Sequence, residues 1–307
     1  MNGIQRCAGI NFTASKLQFV EVEKQSNQLF IDNIGQTFIS PTIDFEEQSE
    51  ANIFNQLQAA FDEIKIRNPV ISHIASFTLP PELFITIQLP YDTNLNQDEI
   101  KEEFIWEISQ LFPYIPVDEL AIKIYELDSN IFPGKNNALV VALQKKYLIL
   151  IKNFCNKNNL SPKLVDNASI TANSFINSIS NLEKDVVAFN LYNSKNFITL
   201  FVNISAKPVY VKVFQKEHKG LISLLSDELN KEEFIKTRSV RTTYANISGE
   251  EFGKEAISEL KNESDLEFRQ FNPFDKLRFK SGYQNSEIHN DSFSSFTSAA
   301  GIASRFI

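Results

Sequence analysis

Residues 96–127, NQDEIKEEFIWEISQLFPYIPVDELAIKIYEL, oblige the backbone to change state within one short stretch. Phe104, Ile105, Ile108, Leu111 and Phe112 recur at helical spacing, which gathers them on one face of a helix. Asn96 followed by Glu99 has capping-box spacing, so two backbone donors at the helix start can be satisfied by side chains. Pro113 and Pro116 have no N–H to give a continuing helix, so the helix ends there. From Leu120 the period becomes two, with Leu120, Ile122 and Ile124 on one side and Ala121, Lys123 and Tyr125 on the other. The stretch therefore reads as helix, proline corner and strand.

The flanking sequence continues this mixture of periods. Arg6–Asn11, Leu17–Glu23 and Leu29–Phe38 read as a strand meander, and residues 50–66 as a helix. Val70–Thr78 and residues 83–89 read as strands, and Ala138–Leu143 as a strand returning through a turn at Pro133-Gly134-Lys135-Asn136. A helix at Lys145–Asn159, a short strand at Lys163–Asp166 and a helix at Ala168–Ile179 follow. Val186–Leu191, Phe197–Asn203 and Val209–Phe214 are three further strands. Gly220–Leu229 and Glu251–Leu260 are helical patterns on either side of a strand at Thr242–Ile247. The polar run 280–292 is expected to be mobile. The class is α/β.

Bulk properties exclude several functions. The net charge is −8 with Lys and Arg scattered, which argues against a basic nucleic-acid face. No apolar run approaches the ~20 residues of a membrane helix, so membrane association is expected only through a partner. Cys7 and Cys155 share no motif, and without a signal peptide they read as reduced thiols in a cytoplasmic protein. His73, His218 and His289 lack partners at ligand spacing, so no metal site is expected. Pro133-Gly134-Lys135 lacks the glycine and hydroxyl of a phosphate-binding loop, and no Gly-x-Ser-x-Gly elbow occurs. The pairs Glu102-Glu103 and Glu232-Glu233 fall in helical patterns and read as solvated faces.

The Trp106-Glu107 pair, the following QLFPYIPVDELAIKIYEL, RQFNPFDKLRF at 269–279, and a terminal helix with Phe293, Phe296, Ala299, Ala300 and Ala303 together resemble the PilM family of type IV pilus assembly proteins. That resemblance implies an actin-like (ribonuclease H-like) two-lobed fold. Residues 1–81, continued by 166–180, would form the first subdomain. Residues 82–165 would form the inserted strand-helix-strand-strand-helix subdomain of FtsA-like and PilM-like proteins, and 181–307 a reduced second lobe. It also implies a partner, the cytoplasmic tail of a PilN-like inner-membrane protein. The tail would lie in a groove between the first and inserted subdomains, lined from near 70–90 and 145–165. The protein would then be cytoplasmic, peripheral to the inner membrane through that partner, in a type IV pilus or related type II secretion machine, and a homo-oligomer is allowed.

In actin-like ATPases two β-hairpins grip phosphate, each with an Asp for the metal and a Gly that lets backbone N–H groups approach. Here Asn11 and Thr13 stand at those places in the first hairpin, and Asn190 and Tyr192 in the second. Gly249 remains in the adenosine-side loop, but Glu250 and Glu251 follow it and would repel a polyphosphate. The interval from Tyr192 to Gly249 also looks short for a subdomain that closes over adenine. The expectation is a pseudo-ATPase scaffold with no catalytic residue and no cofactor. A divergent ATPase that still binds magnesium-ATP and a structural dimerisation module are the alternatives. Trp106, about 200° around the helix from Phe104, is a candidate partner anchor; the alternative is that it packs on Pro113, Tyr114 or a neighbouring strand of the same subdomain.

Overall fold

The computed structural model describes residues 5–25, 28–128, 136–180, 185–217, 220–275, 277–280 and 290–305. The turn at 133–135, His218, His289 and residues 281–289 of the polar run lie outside the described residues. Asn290–Phe296, at the end of that run, forms a 3-10 helix.

Two sheets repeat one strand pattern. In the first, β1 (Gln5–Phe12), β2 (Lys16–Gln25) and β3 (Gln28–Phe38) form an antiparallel meander. Helix α1 (Glu50–Arg67) then leads to β4 (Ile74–Leu79), which lies parallel to β1. The chain next passes through β5 (Phe84–Pro90), α2 (Gln97–Leu111), β6 (Leu120–Leu127), β7 (Asn137–Gln144) and α3 (Lys145–Lys157). It rejoins the first sheet as β8 (Ser161–Asn167), parallel to β4, and continues into α4 (Ala168–Ile179).

The second sheet begins with β9 (Val186–Asn193), β10 (Phe197–Ile204) and β11 (Lys207–Gln215), again an antiparallel meander. Helices α5 (Leu221–Leu229) and α6 (Glu232–Ser239) precede β12 (Thr242–Gly249), which is parallel to β9. Helix α7 (Lys254–Ser264) precedes β13 (Phe268–Gln270), parallel to β12. A short β14 (Arg278–Phe279) returns to the outer edge of the first sheet, and α8 (Thr297–Ser304) ends the described chain. The strand orders are β14-β3-β2-β1-β4-β8 and β11-β10-β9-β12-β13.

Each sheet has its own apolar core. Phe61 of α1, Phe77 of β4 and Phe154 of α3 meet edge to face in the first, at 5.2 and 5.9 Å between ring centroids. Helix α3 therefore packs into the first lobe, and β8 is a strand of the first sheet. The unit that stands apart is smaller than 82–165 and comprises the three-stranded antiparallel sheet β5-β7-β6 with α2. Alternation along β7 explains its placement. Ala138, Val140 and Ala142 face α2, while Leu139 and Val141 face Ile170, Phe201 and Val211 of α4 and the second lobe. Asp128 N–H donates to the Pro208 carbonyl (3.0 Å) and Val211 N–H to Gln88 Oε1 (3.3 Å), so this small sheet is hydrogen-bonded to the second lobe as well.

The proline corner forms as its residues require. Asn96 Oδ1 accepts from the Asp98 and Glu99 amides at 3.0 Å, and the Glu99 carboxylate accepts from the Asn96 amide at 2.8 Å. Phe104 and Ile108 are buried, with Ile100 and Phe112 packed beside them. Leu111 departs from the expected stripe and is 57% exposed. The helix ends there: the Phe112 amide closes on the Ile108 carbonyl at 2.8 Å, and Phe112 and Ile115 cover the sheet instead. Strand β4 starts at Ile74, not Val70, because the Ile71 and Ser72 amides are drawn to the buried Glu21 carboxylate. Helix α6 and strand β13 had no expectation from periodicity, both being short. Cys7 and Cys155 are free and buried, and burial pushes both thiols up, Cys155 to about 12.

Helix α8 joins the lobes. It lies on β1, β2 and β4 and packs along α4. A Cβ on Gly9 would fall 2.0 Å from the Ala299 carbonyl oxygen, so strand and helix backbones touch there. Gly9→Ala is expected to destabilise by at least the roughly 1–3 kcal/mol of an overpacked core, read as a lower denaturation midpoint. A midpoint equal to wild type would show that the helix is not seated there.

At the far end of the first sheet, buried Glu23 accepts from Arg6 and Lys280, both at 2.6 Å, and both cations also pair with Asp32. Burial alone would raise the Glu23 carboxyl, but hydrogen bonds from Lys280, Gln25 and Arg6 outweigh it and hold the group at about 2. A depressed carboxyl stabilises the fold above its unfolded value of 4.5 and loses that contribution as pH falls toward about 2. The acid side of the stability–pH curve should therefore be flatter in Glu23→Gln than in wild type, measured as melting temperature between pH 6 and pH 3.

Candidate functional site

The tips of two equivalent hairpins, β1–β2 and β9–β10, face one cleft of about 340 Å³ between the lobes. In the first, Thr13 closes the turn: its amide and hydroxyl both donate to the Lys16 carbonyl at 3.0 Å, and its hydroxyl accepts from the Lys16 amide at 3.1 Å. Thr13 lines the cleft. Asn11 does not, being 1% exposed within the sheet. Its Oδ1 accepts from Thr78 (2.9 Å) and its Nδ2 donates to Gln18 Oε1 (3.0 Å), and Gln18 passes the chain on to Gln36 and Ser295.

Asn190 has a parallel fate. It faces α4, where its Nδ2 donates to the Oδ1 atoms of Asn173 (2.8 Å) and Asn177 (3.1 Å), and its Oδ1 accepts from Asn246 (2.8 Å). Asn203 completes a buried amide cluster by exchanging hydrogen bonds with Asn173 at 3.0 Å in both directions. Both asparagines thus use donor and acceptor together, as a carboxylate could not. Tyr192 is on the same face of β9, pressed against Ala168 and Ala172, with Ser298 Oγ 3.3 Å from its hydroxyl. Burial pushes its phenol well above the ordinary value.

Gly249 ends β12 at φ +90°, and a Cβ there would meet the Asn193 carbonyl oxygen at 2.3 Å. The loop it starts is fixed to the second hairpin: the Glu250 amide donates to Asn193 O (2.7 Å), and Asn193 Nδ2 donates to the carbonyls of Glu250 (3.1 Å) and Glu251 (2.9 Å).

Two carboxylates cross the cleft in opposite directions. Glu250, from the second lobe, pairs with Lys16 Nζ of the first hairpin at 2.8 Å. Glu82, from the 3-10 turn that follows β4, accepts on one oxygen from Ser194 Oγ (2.5 Å) and from the Asn196 amide (3.1 Å) at the tip of the second hairpin. Its other oxygen is buried and accepts no hydrogen bond among the described residues. Lys216 Nζ donates to the Ser194 carbonyl behind that tip. Burial lowers the Lys216 ammonium below its usual value, while nearby Glu250 and Glu82 act the other way. The structure thus brings Thr13, Tyr192 and the Gly249 loop together and leaves Asn11 and Asn190 in sheet interiors. Glu82, Lys16 and Ser194 were not anticipated. Pro80-Pro81 before Glu82 signals a fixed turn, but nothing local tells where that turn points.

A second cavity, of about 370 Å³, opens between the first lobe and the three-stranded sheet. Leu83, Ile85, Lys146 and Tyr147 line it, within the ranges expected for a groove, together with Phe45 and Ile115 from outside them. Phe45, Glu46, Glu82 and Leu83 form a wall common to groove and cleft. Trp106 lines neither; it is 63% exposed on α2, on the same unit as exposed Leu111 and Tyr114. Among the described residues no group of three His, Cys, Asp or Glu side chains could hold a metal ion.

The sequence matches the family described as type IV pilus assembly protein PilM over residues 9–220. No curated protein matches it. A solved structure described as a PilM-PilN type IV pilus biogenesis complex superposes with a TM-score of 0.71 at 16% identity, covering 97% of this chain and 97% of that one. A Bacteroides thetaiotaomicron protein of actin-like ATPase fold and unknown function gives 0.53 at 13% identity, covering 88% and 91%. The fold is actin-like, with the two repeated sheets as its lobes.

Asn190→Asp tests whether the amides are structural. A carboxylate would face the Asn173 and Asn177 oxygens, and the expected cost is about 1–3 kcal/mol, read by chemical denaturation, without magnesium-dependent recovery. Stabilisation by magnesium would instead show a metal position awaiting its carboxylate.

Proposed function

The chain belongs to the PilM family of type IV pilus assembly proteins, and from that premise we propose that it is a non-catalytic scaffold holding the cytoplasmic tail of a PilN-like inner-membrane protein. The observation that carries the proposal is the groove between the first lobe and the three-stranded sheet. Phe45, Leu83 and Ile115 offer apolar seats, and an extended peptide could add main-chain hydrogen bonds beside them. The likeness to a structure described as a PilM-PilN complex supports a partner of that kind. No described helix is long and apolar enough to cross a membrane, which agrees with a cytoplasmic protein reaching the inner membrane through its partner. Trp106, exposed with Leu111 and Tyr114, is a second contact surface on the same unit.

The pseudo-ATPase part of the proposal rests on the amides and carboxylates of the cleft. Asn11 and Asn190 offer no charge to a hard cation, which binds through anionic oxygens. Tyr192 fills space at the second hairpin, and Glu82 and Glu250 place negative charge where phosphates would sit. Calorimetric titration with millimolar magnesium-ATP should give no binding heat. Micromolar, magnesium-dependent binding would make a divergent ATPase the better account.

Tail binding is tested separately, with a synthetic N-terminal segment of a PilN-type protein. Ile115→Glu, at the lip of the groove, should weaken that peptide at least about tenfold, roughly 1.4 kcal/mol, with the circular dichroism spectrum unchanged. Unaltered affinity would remove the groove from the proposal.

A further inference from the structure

We propose that the cleft is ligated from within. The Glu82 carboxylate occupies the donors at the tip of the second hairpin, the Glu250 carboxylate holds the lysine of the first, and the two contacts act as one closure that needs no nucleotide. A hairpin tip that presents a backbone N–H beside a hydroxyl is a small anion site. Here the Asn196 amide and Ser194 Oγ are such a pair, and both donate to the same oxygen of Glu82. The anion is supplied by the chain itself, from the opposite lobe. The first hairpin is treated in the same way with the roles exchanged: its Lys16 reaches a carboxylate of the second lobe.

The two contacts are mechanically connected. Ser194, which donates to Glu82, adjoins Asn193, whose carbonyl accepts from the Glu250 amide and whose side chain holds the Glu250 and Glu251 carbonyls. Displacing the tip that Glu82 holds therefore displaces the strand end that aims Glu250 at Lys16. The Glu82 turn is set on the other side by Pro80 and Pro81, whose rings restrict the backbone before the carboxylate. The closure does not depend on a peptide in the groove, and its test uses neither peptide nor nucleotide.

Carbodiimide activation couples a carboxylate to an amine already in contact with it, so the yield of the Lys16–Glu250 cross-link, measured by peptide mass spectrometry, reports the second contact directly. The full chain should give this cross-link. Glu82→Ala, which touches neither cross-linked residue, should reduce its yield at least fivefold. Ser194→Ala leaves Glu82 only the Asn196 amide and also takes the acceptor from the Phe197 amide; it should reduce the yield at least threefold, and an unchanged yield in this variant is the decisive result if Glu82→Ala does not fold. A yield within twofold of wild type in a folded variant of either kind would overturn the proposal, because the contacts would then be independent.

Discussion

Among the described glycines, the closest approach is between two backbones. The Ala299 carbonyl lies where a side chain on residue 9 would begin, so β1 and α8 approach with nothing between them. That approach requires glycine on the strand and small residues on the facing side of the helix, Ala299 and Ala303, while Gly301 gives the same close approach to Thr171 and Phe175 of α4 on the other side. Helix α8 is then close enough to place Ser294, Ser295 and Ser298 against the Gly249 carbonyl, Gln18 and Ala168. The position of the cleft follows from this seating, since both hairpins and the Gly249 loop are referred to the same terminal segment.

Much of the architecture is legible in the sequence because it depends on local period. The capping box at Asn96 and Glu99, the proline corner and the three-strand meanders are consequences of neighbours a few residues apart. What is not legible depends on distant partners. Leu111 fits a helical stripe, yet the chain turns before that stripe meets the sheet. Helix α3 could complete a separate subdomain by its order in the chain, but Phe154 finds Phe61 and Phe77 in the first core. Glu21 shortens β4 from a strand away, across residues that look β-forming by themselves.

The candidate site divides along the same line. Asn11, Thr13, Asn190 and Tyr192 can be singled out in the sequence through the family resemblance alone. What they do in the fold is not legible there. An isolated asparagine gives no sign of a cluster assembled from α4, β9, β10 and β12, in which each amide satisfies others far along the chain. Buried amides of this kind are favourable only when nearly every donor and acceptor is matched. The cluster therefore holds α4 to β9, β10 and β12 by paired dipoles. Glu82 is harder still to foresee, since its partners lie in the opposite lobe.

The small sheet β5-β7-β6 bears on how such a molecule can move. Two lobes joined only by crossing helices can swing as a jaw does. Here Leu139 and Val141 are pressed on Phe201 and Val211, and Asp128 and Gln88 add hydrogen bonds to the same lobe. The sheet is thus a strut bolted at both ends, and swinging would have to shear a packed apolar contact. With the hairpin tips also tied across the cleft, the groove lies beside a braced wall: the shape of a bracket, not of a clamp.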